Sequence, residues 1–300
     1  MLQAWADGLR LSIPVPVALD IAVGNPLETT GAKAGGKVFR QPGVSIYPAA
    51  GGGGVCVRWT PARAAAILDA GSATARVTLS RGAFRQLEEC ARVFLSAVLI
   101  LLLRRVGWHH LHSGIAADPS GTGWLIVGDS GAGKSTTAAL LASSGWRVGN
   151  DDMVFLGNAG GPGARVVVAA ARTPIALRDD MGRRLGSEGS PQPARDKIVY
   201  WPEELGGRWI DRVEPDVIVF VSAGQNGSQV LTKTTSADAI SPREATARLV
   251  RASAWVMLEP GLAQGHLELL ARLARQARSF RVRLAEDLFT SPGRLPELIA

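Results

Sequence analysis

Gly128-Asp129-Ser130-Gly131-Ala132-Gly133-Lys134-Ser135 organises the reading of this 300-residue chain. The segment satisfies the spacing G-x-x-x-x-G-K-[ST], with an apolar run, Trp124 to Val127, before it and a helical pattern, Gly133 to Ser144, after it, closed by Gly145. Glycines at 128, 131 and 133 let the backbone turn tightly enough for successive N–H groups to converge on a phosphate. A helix starting there adds the positive end of its dipole. Lys134 is placed to reach the β and γ oxygens of a nucleoside triphosphate, and the Ser135 hydroxyl to complete a magnesium shell. The pattern therefore predicts an ATP and Mg2+ site made of Gly128, Asp129, Ser130, Gly131, Ala132, Gly133, Lys134, Ser135 and Thr136. A glycine-rich surface turn is the competing reading. Lys134 speaks against it, because only five of the 33 basic residues are lysines.

The flanking sequence divides in two. From Trp108 onward the texture is α/β: strands are predicted at Leu111 to Ala117 and Trp124 to Val127, separated by the turn Asp118-Pro119-Ser120-Gly121. Further strands are predicted at Val154 to Leu156, Arg165 to Ala170 and Val217 to Val221, and helices near Pro242 to Trp255 and Leu262 to Ala277. The first hundred residues alternate short β-like runs with Gly and Pro: Leu9 to Leu19, Lys37 to Tyr47, Val55 to Trp59 and Thr74 to Leu79. Gly51 to Gly54 has no Lys or helix after it, so it is read as a hairpin connection. Ser80 precedes a long helical pattern, Arg81 to Arg105, with Phe84, Leu87, Val93, Phe94, Val98 and Leu101 near one stripe. The expected division is a smaller β-rich region closed by a long helix at 1–106 and a nucleotide domain at 107–300, with no internal repeat.

Composition narrows the classes. Hydrophobic residues at 46% and charged residues at 20% suffice for real cores. The longest apolar run, Phe94 to Leu103, is about half of what a bilayer-spanning helix needs, and Met1 to Arg10 interrupts any secretory signal with Trp5, Asp7 and Arg10. No membrane association and a cytoplasmic location are expected. Cys56 and Cys90 lack paired spacing and read as small apolar residues. The net charge of +7 is carried by arginines spread along the chain, without a nucleic-acid module, so no nucleic-acid partner is expected. A homo-oligomer is left open.

Sixteen residues beyond Ser135 stand Asp151 and Asp152. Adjacent carboxylates repel, so a pair near phosphates makes sense with a cation between them: one serves the metal, the other accepts a proton. A solvated turn, Gly149-Asn150-Asp151-Asp152, remains the alternative. Asp179-Asp180 is read as a surface turn, and Asp216 precedes its apolar run instead of ending it.

Leu111-His112-Ser113-Gly114, the glycine-rich loop and Gly145-Trp146-Arg147-Val148-Gly149-Asn150-Asp151-Asp152, in that order, resemble the HPr kinase/phosphorylase family and its HPr-kinase-related relatives. The match covers about Leu111 to Leu156. It implies an α/β P-loop kinase domain of the phosphoenolpyruvate-carboxykinase-like type, with Asp152 as the base that activates a hydroxyl, Asp151 at the metal together with Ser135, and His112 as the family histidine. Lys134, Asp152 and His112 are then the catalytic candidates. Bifunctional members carry glutamate where Thr136 stands, and a second signature whose comparable stretch, Thr173-Pro174-Ile175-Ala176-Leu177-Arg178, holds no acid. These departures speak against phosphorolysis and against HPr as substrate. The resemblance then points to relatives that phosphorylate a serine of a lasso-peptide precursor, a ribosomally made peptide.

The expected activity is ATP- and Mg2+-dependent transfer to a serine hydroxyl of a peptide or protein. A small-molecule hydroxyl kinase and a nucleotide-gated switch or ATPase are the alternatives. Gly182 to Pro193 is the expected lid, and Lys197 or Arg195 an exposed basic turn with phosphate contact as the second reading.

Overall fold

The computed structural model describes residues 13, 17–26, 39–41, 43–49, 54–69, 71–158, 160, 163–185, 190–192, 197–223, 234–256 and 258–299. Within them the chain is mixed α/β with several sheets and forms two compact units. The first takes in the described residues of 13–109 and 258–263, the second those of 110–256 and 264–300.

In the first unit, Ala18–Val23 (β1), Phe39–Gln41 (β2), Val44–Pro48 (β3), Val55–Trp59 (β4), Ala64–Leu68 (β5) and Thr74–Leu79 (β6) form one sheet in the order β1-β6-β5-β4-β3-β2. β2 to β6 run as an antiparallel meander, and β1 adds parallel to β6. Strict alternation along β6 buries Ala75, Val77 and Leu79 and leaves Thr74 and Arg76 outward. β5 carries three alanines in succession and offers no period-two signal, so the sequence did not announce it. Of the expected Leu9 to Leu19 run, 18 and 19 belong to β1, while residues 9–12 and 14–16 lie outside the described residues. So do 37, 38 and 42 of the second run and 51–53 of the glycine connection, which joins the antiparallel strands β3 and β4.

The helical pattern from Arg81 to Arg105 forms, but not as one helix. Arg81–Arg85 (α1) and Leu87–Glu89 (α2) lead into a π-helical segment, Cys90–Leu95, and then Ser96–Arg105 (α3). Ser80 caps the start by accepting from the Ala83 N–H at 3.1 Å. The π segment winds wider than 3.6 residues per turn and shifts the phase of the stripe. Phe84 consequently stands 43% exposed, while α3 is buried on every side from Ala97 to Arg104. Both cysteines are buried, and burial pushes the Cys90 thiol up to about 12, consistent with an apolar role.

Arg105 closes this unit. Its guanidinium donates to the carbonyls of Leu68, Asp69 and Ser72 and pairs with Glu259 at 3.1 Å, the two side chains being only 4% and 18% exposed. Removing the guanidinium strands a buried carboxylate and three carbonyls. Arg105→Ala is expected to lower the unfolding free energy of this unit by about 3–5 kcal/mol, read from urea denaturation; a loss below about 1 kcal/mol would show the pair to behave as a surface bridge.

The second unit begins at His110, within His109–Leu111 (β7), and continues with Ser113–Ala117 (β8) and Gly123–Val127 (β9), followed by the helix Lys134–Ser143 (α4). Arg147–Val148 (β10), Val154–Asn158 (β11), Val166–Ala170 (β12) and Ile175–Arg178 (β13) come next, then Asp179–Arg184 (α5), Ser190–Gln192 (β14) and Lys197–Tyr200 (β15). Arg208–Trp209 (β16), Arg212–Val213 (β17), Pro215–Ala223 (β18), Ser236–Ile240 (β19), Pro242–Arg251 (α6), Pro260–Gln276 (α7) and Arg278–Leu284 (β20) follow, with Asp287–Thr290 (α8) and Arg294–Glu297 (α9) at the end. The main sheet has the order β16-β10-β8-β9-β18-β20-β19, with β9, β18 and β20 parallel at its centre. Trp124, Ile126, Val217 and Val219 point to the face covered by Ala138 to Ala142 of α4. Leu125, Val127, Ile218 and Phe220 point to the other, covered by β7, β11 and β12 and by Leu249, Leu270 and Leu273 of α6 and α7. Burial on both faces explains the unbroken apolar runs of β9 and β18.

Two expectations are corrected here. Asp179-Asp180 opens α5 instead of forming a turn, each carboxylate pairing with a neighbouring arginine, Asp179 with Arg183 and Asp180 with Arg178. Of the expected lid, 182–184 are helical and 190–192 pair with β15, while 186–189 and 193 lie outside the described residues. Lys197 is a half-buried strand residue rather than an exposed turn; Arg195 lies outside the described residues.

Candidate functional site

The loop leaves β9 at Val127 and enters α4 at Lys134. Gly133 caps the helix at φ +101°, and a Cβ there would stand 2.5 Å from a methyl of Leu284, so both conformation and space demand glycine. Lys134 is buried, and an ammonium away from water needs acceptors. Its Nζ donates to the carbonyls of Gly128 at 2.6 Å and Asp129 at 3.1 Å and reaches His112 Nε2 at 2.9 Å.

His112 stands in the one-residue break between β7 and β8, not within a continuous strand from Leu111 to Ala117 as expected. An ammonium only donates, so Nε2 accepts from Lys134 and the ring proton sits on Nδ1, which faces Asp152 Oδ1 at 2.6 Å. Lys134, His112 and Asp152, three candidates spread over 41 positions of sequence, thus form one hydrogen-bonded chain.

Two further features hold the aspartates in place. Gly114 lies against the backbone of Asn150: a Cβ at Gly114 would be 2.5 Å from the Asn150 carbonyl, which accepts from the Ile115 N–H at 2.9 Å. Asn150 is fully buried, and its side chain shapes the turn. Oδ1 accepts from the N–H groups of Asp152 at 2.5 Å and Met153 at 2.7 Å, while Nδ2 donates to the Ala171 carbonyl at 2.7 Å and to the Thr173 hydroxyl. In the sequence Asn150 figures only in the solvated-turn alternative, Gly149-Asn150-Asp151-Asp152; the signal for its role is an Asn two positions before an Asp, the spacing of a side-chain-closed turn.

The turn sends the two carboxylates into different surroundings. Asp151 is 6% exposed and hydrogen-bonded to the Ser135 hydroxyl; burial pushes its carboxyl up to about 6, against the help of that bond. The Asp152 side chain is 60% exposed. Desolvation works to raise its pKa, but the His112 hydrogen bond and the charge of Lys134 outweigh it and hold it down to about 2. His110, edge-on to Phe155, is pushed by burial down to about 4 and stays uncharged at neutral pH. Burial also lowers the Lys134 pKa, with the three aspartates Asp152, Asp151 and Asp129 opposing.

Asp151 and Ser135 are a fitting donor pair for a hard divalent cation: a carboxylate and a hydroxyl in contact, with the carboxylate buried and no cationic side chain hydrogen-bonded to it among the described residues. The remaining positions of such a shell would fall to phosphate and water. Thr136 is the third residue of α4. Asp216 bonds Arg165 at 2.6 Å at the opposite end of the sheet, beside an open cleft of about 500 Å³ that also includes Arg147 and Arg212 and lies apart from this site.

No family model matches the chain, and no curated protein matches its sequence. Among solved structures, the Hpr(Ser) kinase/phosphatase from Coxiella burnetii is similar at 11% identity and a TM-score of 0.33, over 64% of this chain and 93% of that one. A likeness at that level carries no argument. No helix of the described residues is long and apolar enough to cross a membrane.

The raised Asp151 pKa carries a stability prediction. Its proton is held more tightly folded than unfolded, so its contribution is present below the ordinary value of 3.8 and is lost as pH rises through about 6. At pH 7 the buried charge therefore destabilises the nucleotide-free, metal-free protein, by on the order of 1–3 kcal/mol. Asp151→Asn removes the charge and keeps the acceptor for Ser135. The variant is expected to melt above the parent protein at pH 7, with the gap closing toward pH 4; a gap independent of pH would mean that the charge is not its cause.

Proposed function

We propose that this chain is an ATP- and Mg2+-dependent phosphotransferase to an alcohol, with a serine of a peptide or protein as acceptor. The supporting observation is the hydrogen-bonded chain from Lys134 through His112 to Asp152. It sets an ammonium at the mouth of a glycine-rich loop and an open carboxylate at its other end, the two charges that phosphoryl transfer to a hydroxyl needs.

Lys134 neutralises phosphate oxygens, and the backbone of 128–133 with the start of α4 orients them. A divalent ion held by Ser135 and Asp151 would supply further positive charge at the phosphates. Asp152, open to the acceptor side, orients the hydroxyl and takes its proton. Its low pKa suits that task, because a loose transition state releases the proton late and asks more of positioning than of basicity. His112 fixes the rotation of the Asp152 carboxylate through Nδ1.

The peptide class of the acceptor rests on the resemblance carried by 111–156, with a lasso-peptide precursor as the first candidate. Incubation with labelled ATP, Mg2+ and such precursor peptides, followed by mass spectrometry, tests it directly. Phosphate appearing only on small hydroxylated compounds would move the reading to a small-molecule kinase. Release of inorganic phosphate alone would make the chain an ATPase.

Asp152→Asn keeps size and removes the proton acceptor. It is expected to leave nucleotide affinity intact and to lower turnover at saturating ATP by at least about a hundredfold, with no rescue by excess magnesium. Turnover near that of the parent protein would remove Asp152 from its role.

A further inference from the structure

We infer that the cleft at the end of the main sheet away from the glycine-rich loop binds a compact dianion, a phosphate monoester or a dicarboxylate, through the guanidinium groups of Arg147 and Arg212. The site is separate from the loop and independent of the function proposed above.

Topology places the cleft. β9 and β18 run parallel, and the glycine-rich loop leaves the C-terminal end of β9. The cleft opens at the other end, where β9 starts at Gly123, β18 starts beside Asp216 and β8 ends at Ala117. Arg147 opens β10 opposite Ala117, whereas Arg212 and Val213 form β17 of the second sheet, so the two arginines reach one cleft from two sheets. Gly121 leaves room for the first of them: the nearest atom to a Cβ built there is Nη2 of Arg147, at 3.9 Å. The volume of about 500 Å³ is that of a small-molecule site.

The charges in the cleft are unequally matched. Arg165 takes both of its carboxylates, meeting Glu214 through Nε at 3.1 Å and Asp216 through Nη2 at 2.6 Å. Asp216 also accepts from the Gly123 N–H at 3.3 Å. The acids are thereby satisfied from within, and Arg147 and Arg212 have no hydrogen-bond acceptor or carboxylate partner among the described residues. Three guanidinium groups against two carboxylates leave the cleft positive, and its walls include the buried Ala117 and Val213, a low-dielectric surface that focuses the field.

The sheet edge adds a second observation. β10 pairs in parallel with β16, which sets Arg147 beside Arg208. Like charges in neighbouring register weaken a strand pair, and Arg208 too has no carboxylate partner among the described residues. An anion held by Arg147 relieves that repulsion. One guanidinium fork matches one carboxylate. Two forks from two sheets ask for two charges, which a phosphate monoester carries on one centre and a dicarboxylate on two.

The test compares small anions. Calorimetric titrations with glycerol phosphate, succinate and acetate are run at low ionic strength on the parent protein, Arg147→Gln, Arg212→Gln and Lys134→Met. The parent protein is expected to bind glycerol phosphate or succinate at least about tenfold more tightly than acetate. Each arginine variant is expected to weaken that dianion by roughly tenfold or more, the loss of one charge-assisted contact, while Lys134→Met changes it by less than about threefold. Whichever dianion binds more tightly names the ligand class. Both arginines are exposed, so the variants are expected to melt with the parent protein. If one melts lower, protection of Arg147 and Arg212 from phenylglyoxal by the dianion, read by mass spectrometry on the parent protein, takes its place. Binding of neither dianion, acetate binding as tightly, affinity that survives both arginine variants, or absence of protection overturns the inference. So does glycerol phosphate binding that only Lys134→Met removes, which belongs to the loop.

Discussion

A buried ammonium that must find acceptors governs this site. Lys134 lies at the start of α4, shielded from water, and burial lowers its pKa against the opposing charges of Asp152, Asp151 and Asp129. Two loop carbonyls and His112 Nε2 take its three N–H donors, and that requirement passes outward. Because Nε2 accepts, Nδ1 must donate; because Nδ1 donates, a carboxylate must stand at its far side. Asp152 can stand there only because β8 lets the Asn150 turn approach it at Gly114. A glycine in one strand and an asparagine in a neighbouring turn thus become part of the geometry around a lysine in a third element.

The paired aspartates show how far environment separates identical groups. The Asn150 side chain accepts from two successive N–H groups and closes the backbone tightly, so Cβ atoms of neighbouring residues leave in different directions. One carboxylate goes inward to Ser135 and is pushed up to about 6; the next goes outward to His112 and is held near 2. Two carboxylates held in such unlike states suit two tasks, a ligand that a cation would discharge and an open acceptor for a proton.

What the sequence made legible was local. The glycine-rich loop, β9, α4 and the aspartate pair were readable because spacing and apolar runs within about thirty residues define them. The chain from Lys134 to Asp152 was not, since no period in the sequence says that a strand break at His112 brings two distant segments within hydrogen-bonding reach. β20 escaped because its alternation, Arg281 and Arg283 against Phe280 and Val282, is short and follows a helix without a Gly or Pro stop. The small sheet of β13, β14 and β15 escaped for another reason: its strands are short and pair only with one another, so each looks like loop until its partner is known. Phe84 was misplaced by the π segment, whose phase shift no 3.6-residue template contains.

The same chain links nucleotide binding to the readiness of the base. In the proposed function, phosphate competes with His112 for Lys134, and an ammonium drawn onto phosphate withdraws its field from Asp152. Lys134 is among the groups that depress the Asp152 pKa, so its departure raises the basicity of the carboxylate at the moment an acceptor hydroxyl becomes useful. His112 keeps its Nδ1 bond throughout and preserves the orientation while the strength of the base changes.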